Sequence, residues 1–261
     1  MKGGDQHVKF WELVAAPVAV AVIVGALALP FRFFRRRVGP SVMKATGDHG
    51  LVLRAFSRPA EMKGIKPKDM LDVEPYWLTD SDFYFRDGIP GPGPDKKAAW
   101  ESWAEEHGGE GATWRHVLIL VQALQEHTVA VLPPDVNVSR FPVAGGIELG
   151  PEKEAGGNGL LVRQFSIELD EEPATAVYFP EGGAQNPIFT MAKGDTEAFL
   201  IIANATSGRY EWTVDMKFLV DGQSFTLRAD DGGRPFVTVG TKGVERSWWQ
   251  FSGKTWIPAK W

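Results

Sequence analysis

A chain of 261 residues with no cysteine can form no disulfide, thiolate zinc site, cysteine nucleophile or cysteine-ligated iron–sulfur cluster. Beyond residue 37 there are 22 basic side chains against 31 acidic ones, a net charge of −9. That balance argues against nucleic acid as a partner and against lying flat on an anionic leaflet.

Residues 1–12 form a short tail with Lys2 and Lys9 offset by Asp5 and Glu12. Leu13 to Phe31 follow as 19 uncharged, mostly aliphatic residues. As a helix rising about 1.5 Å per residue, this run spans roughly 28 Å, close to the ~30 Å hydrocarbon core of a bilayer. Ala26-Leu27-Ala28 offers a signal-peptidase pattern, but the leading charge is only weakly positive, which favours an uncleaved anchor. Arg32, Arg35, Arg36 and Arg37 come directly after the run. The positive-inside rule puts that end in the cytoplasm, so the expectation is a single-pass cell-membrane protein with its large domain cytoplasmic. Phe31, Phe33 and Phe34 among these arginines suit an interface with lipid headgroups, although a pure topology signal explains the arginines as well.

Residues 32–94 read as a basic juxtamembrane segment and a connector rich in proline and glycine, ending in the Gly88-to-Pro94 run. Tyr76, Trp77, Phe83, Tyr84 and Phe85 are numerous for a disordered tether, so part of it should pack on the domain. The domain proper is expected over 95–261. It begins with a short helix: Asp95 is the N-cap, Trp100, Trp103 and Ala104 share a face, and Gly108-Gly109 stops it.

From Trp114 the periodicity is that of strands. Val117 to Val121 is continuously apolar, and Val129 to Leu132 follows a turn at Gln125-Glu126-His127, with Pro133-Pro134 expected to end it. Phe165, Ile167 and Leu169 alternate with polar residues, and Phe199 to Ile202 reads as buried on both faces. Tyr210, Trp212, Val214, Met216, Phe218 and Val220 are apolar at every second position up to Asp221-Gly222, a type I′ hairpin signal. That turn places Phe218 opposite Phe225, Met216 opposite Leu227 and Val214 opposite Ala229. Asp230 to Gly233 turns again into Phe236 to Val239, and Trp248 to Phe251 with Thr255 to Ile257 forms a closing hairpin. The fold class expected is mainly β: an antiparallel β-sandwich, immunoglobulin-like or related, behind one transmembrane helix.

The stretch Gly233-Arg234-Pro235-Phe236-Val237-Thr238-Val239-Gly240-Thr241-Lys242-Gly243, with Trp248-Trp249 and the Trp256-Ile257-Pro258 ending, carries a resemblance. From about Trp114 onward the chain resembles a group of uncharacterised actinobacterial proteins with one N-terminal membrane helix and a β-rich domain. The resemblance implies architecture and transfers no catalytic residue.

No arrangement of groups suggests catalysis. His7, His49, His107, His116 and His127 lack metal-ligand spacing; His116 and His127 could approach each other across a hairpin, but the reading favoured is that of histidines on a strand surface. Asp80, Asp82 and Asp87 lack the spacing of a calcium loop, Asp230-Asp231 suits a turn, and Gly156 to Gly159 precedes a strand rather than a helix. Asn137 and Asn204 head glycosylation triplets, which a cytoplasmic domain would not use. No catalytic residue, cofactor or metal is therefore assigned.

Ten tryptophans are more than a sandwich needs. Trp248, Trp249, Trp256 and Trp261 cluster near the C-terminus among Lys242, Arg246, Lys254 and Lys260. They serve either as a partner surface or as core filling, and adjacent Trp248 and Trp249 must point to opposite sides of a strand. The expected function is a membrane-tethered, non-enzymatic module recruiting a protein partner; the alternative is an outward-facing envelope protein contacting glycan through these tryptophans.

Overall fold

Both residues of the Asp221-Gly222 turn adopt positive φ, +48° and +84°, as a type I′ hairpin requires. The strands on either side pair in the register their apolar alternation dictates: Phe218 with Phe225, Met216 with Leu227, Val214 with Ala229. A slip of one residue would turn every one of these side chains out of the core.

The computed structural model describes residues 44–45, 50–57, 76–78, 85–86, 89–90, 103–104, 106–143, 145–151, 162–179, 188–243, 246–251 and 255–258. The apolar run 13–31, the four arginines after it and Trp261 lie outside them. Among the described residues no helix is long and apolar enough to cross a membrane.

The described chain is mainly β. Its first strands are β1 (Lys44–Ala45), β2 (Leu51–Phe56), β3 (Tyr76–Leu78), β4 (Phe85–Arg86), β5 (Ile89–Pro90) and β6 (Glu110–Ala112). Then come β7 (Trp114–Ala123), β8 (His127–Phe141), β9 (Gly146–Pro151), β10 (Arg163–Glu168), β11 (Ala176–Phe179) and β12 (Ile188–Met191). The last are β13 (Thr196–Asn204), β14 (Ser207–Val220), β15 (Gln223–Ala229), β16 (Phe236–Thr241), β17 (Arg246–Phe251) and β18 (Trp256–Pro258). One sheet runs β1-β2-β7-β13-β10-β11. A larger one runs β12-β8-β14-β16-β6-β3-β9-β17-β18, with β15 also on β14, while β4 and β5 pair separately.

The sheets are mixed, which corrects the expectation of a purely antiparallel arrangement. β10 lies parallel to β13, β16 to β6, and β17 to β9. Each of these pairs joins strands far apart in sequence, where no tight hairpin constrains direction.

Alternation explains where the core sits. Leu51 and Leu53 of β2, Val117, Ile119 and Val121 of β7, and Phe199 and Ile201 of β13 form one cluster with Trp212, Val214, Met216 and Phe218 of β14. The two sheets thus share a single apolar layer, each large side chain contributing ~1.5–3 kcal/mol by burial. β7 and β13 are buried on the other face as well, through Leu118, Leu120 and Leu200, which accounts for their unbroken apolar runs.

Three further expectations are corrected. The short helix does not precede the first strand: β2 and β3 come from inside the stretch read as connector, and β2 pairs with β7 in the core sheet. Its six residues are too few to display a period against proline- and glycine-rich surroundings. The helical residues described are Trp103, Ala104 and Glu106, and the Gly109 amide closes the turn on the Ala104 carbonyl at 2.7 Å.

β8 does not stop at Pro133-Pro134. The register against β14 shifts there, Leu132 pairing with Lys217 and Asp135 with Asp215, so two prolines oppose Met216 as a β-bulge. β12 covers the other side of β8 only from His127 to Ala130, so the prolines withhold no ladder hydrogen bond from a described neighbour.

Finally, β7 and β8 belong to different sheets. His116 and His127 therefore do not face each other, and both are buried rather than on the surface. His127 Nδ1 instead stands 2.7 Å from Asp221 Oδ2, and the Thr128 amide donates to Asp221 Oδ1 at 2.9 Å.

Candidate functional site

A cleft of about 660 Å³ is lined from both sheets. Ser57 at the end of β2 and Arg115 of β7 come from the smaller sheet; Tyr76, Glu110, Glu211 and Phe236 come from the larger. Asp231, Arg234 and Pro235 of the β15–β16 turn form part of its wall, and Glu106 comes from the helical turn.

Three strands set its charged wall. Glu211 points away from the core because β14 alternates, and Arg209 lies two residues earlier on the same outward face. The Arg209 guanidinium reaches across β16 to Glu110 of β6, its Nη2 donating to Oε1 at 2.7 Å and its Nε to Oε2 at 2.8 Å. Nη1 donates to Glu211 Oε1 at 2.8 Å. One fork thus holds two carboxylates, a geometry lysine could not reproduce. The Glu110 hydrogen bonds outweigh the cost of burial and hold the Arg209 guanidinium even more firmly protonated than usual.

The turn is built by its own side chains. Asp230 Oδ1 accepts the Gly233 amide at 2.8 Å, Asp231 and Arg234 form a β-bridge, and Gly232 and Gly233 supply the positive φ the chain needs. Asp231 accepts from Ser57 Oγ at 3.2 Å and Arg234 Nη2 at 3.2 Å, tying the turn to the end of β2. Arg234 itself remains 73% exposed on the rim. Arg115, by contrast, is buried; its guanidinium carbon lies 5.9 Å from the Tyr76 ring centroid, and a Cβ at Gly111 would stand 3.0 Å from its Cδ. Glycine at 111 leaves the space this arginine occupies.

A second polar cluster is structural in character. Asp170 Oδ1 accepts from the Ser207 amide at 3.0 Å, Ser207 Oγ at 3.1 Å and Tyr210 Oη at 2.9 Å, while Oδ2 takes the Thr206 amide. Burial pushes the Asp170 carboxyl up, but these donors outweigh it and hold it below the usual range. Burial first, then the hydrogen bond and charge of Asp170, push the Tyr210 phenol up to about 12.

Of the tryptophans singled out by sequence, Trp249 and Trp256 come together. Both are half-buried and pack against a small cluster of Tyr76, Ala104, Ile147, Leu149 and Phe251. Trp256 lies 5.0 Å from Phe251 and 5.8 Å from Trp103 between ring centroids. Trp248 is in β17, one residue before Trp249. Arg32, Arg35, Arg36 and Arg37 lie outside the described residues, as do Trp261, the candidate loop residues Asp80, Asp82 and Asp87, and Gly156 to Gly159. Asn137 and Asn204, the glycosylation candidates, both sit in strands and donate to Asp215 and Glu168.

The cleft was not visible in the sequence. Glu110 and Arg209 are 99 residues apart, and no motif links them. The one available signal is local: Arg209 and Glu211 share the polar face of an otherwise apolar alternation.

Against known protein families and curated proteins, no family model and no curated sequence matches this chain.

Proposed function

We propose that this chain is a membrane-tethered, non-enzymatic interaction module: a β-sandwich held at the inner leaflet by the Leu13–Phe31 segment, recruiting a protein partner through the cleft between its sheets. The observation that carries this reading is how the cleft's charges are spent. Glu110 and Glu211 are tied to Arg209, and Asp231 to Arg234 and Ser57, so these groups form a fixed recognition surface rather than an acid–base pair poised for proton transfer. The one apolar layer shared by the two sheets supports the sandwich, and the arginines after residue 31 support the cytoplasmic side.

The experiment is crosslinked capture from membranes with the full chain and its Arg234→Glu variant. Arg234 is exposed on the rim and its pair with Asp231 is a surface ion pair, so the change should cost no more than about 1 kcal/mol and still reduce capture. Equal capture by both chains overturns the cleft as the recognition face. A C-terminal reporter should behave as cytoplasmic; protection of that reporter outside the cell would favour the glycan-facing alternative.

A further inference from the structure

We draw no further inference here: the strongest candidate, the apolar outer face of the six-stranded sheet around Leu118, Leu120 and Leu200, carries nothing because nothing in the structure shows what covers it.

Discussion

Phe218 and Phe225 stack across the β14–β15 hairpin, ring centroids 5.6 Å apart and planes 23° from parallel. Phe218 is fully buried and Phe225 half-buried against the same core. Phe218→Ala should cost ~3–5 kcal/mol, as truncation of a buried aromatic does. A double-mutant cycle with Phe225→Ala should return a coupling of ~0.5–1.5 kcal/mol beyond the single losses. Denaturant unfolding measures both, and strictly additive variants would mean that the rings do not interact in solution.

Gly240 sits where β16 passes closest to the start of β14. A Cβ there would lie 2.3 Å from the Ser207 amide nitrogen and 2.4 Å from the Thr206 carbonyl carbon. Both are backbone atoms, so no side chain can turn aside to relieve the clash. Gly240→Ala is expected to destabilise by ~3 kcal/mol or more, at the upper end for overpacking. An unchanged unfolding midpoint would contradict this crossing.

Stability should depend on pH at both extremes. The Asp170 carboxyl is held below its unfolded value, so its contribution is complete above about pH 4 and is lost as pH falls through the folded value. Asp215, held down chiefly by Arg228, acts in the same direction. Tyr210 has the opposite sign: its folded value near 12 exceeds the ordinary 10, so stability is intact below pH 10 and declines from there to about 12. Tyr210→Phe should abolish most of the alkaline slope, and Asp170→Asn should flatten the acid one. Chemical unfolding at a series of pH values reads both slopes.

Arg209 holds Glu110 and Glu211 together, so its removal leaves two carboxylates on one wall without their shared donor. Arg209→Met should cost ~1.5–3 kcal/mol, the range for hydrogen bonds to charged groups. Arg209→Lys should recover only part of this, because an ammonium cannot bind Glu110 through two parallel N–H groups. Full recovery by lysine would show that charge alone matters here.

Trp249→Ala and Trp256→Ala separate core filling from partner binding. Each ring is half-buried, so a loss of about 2–3 kcal/mol is expected, below the ~3–5 of a fully buried aromatic. If folding survives and membrane capture of a partner is lost, these rings also belong to the binding surface. If both variants unfold globally, their role is packing.

Legibility followed the range of the interaction. The β14–β15 register could be written down from the sequence because a two-residue turn and strict alternation leave one solution, and the pairs of Val214, Met216 and Phe218 are as expected. The closing hairpin was legible as well, from two short apolar runs on either side of Ser252-Gly253, and Phe251 pairs with Trp256. β2 was not, since a six-residue strand in a proline-rich stretch gains its identity only from β7 beside it. Pro133-Pro134 misled because the usual rule for proline assumes neighbours on both sides, whereas β8 has none described beyond Ala130 on its far edge.

By itself, the sequence determined a cysteine-free, acidic, mainly β chain, with a 19-residue apolar run ahead of it and strand alternation marking its inner faces. Those properties depend on composition and on neighbours a few residues away. Only the tertiary structure decided that β7 and β8 part into different sheets, that three strand pairs among the described residues run parallel, and that Arg209 meets Glu110 across 99 residues. Such contacts depend on which distant strands become neighbours, and a local apolar period selects a face without selecting a neighbour.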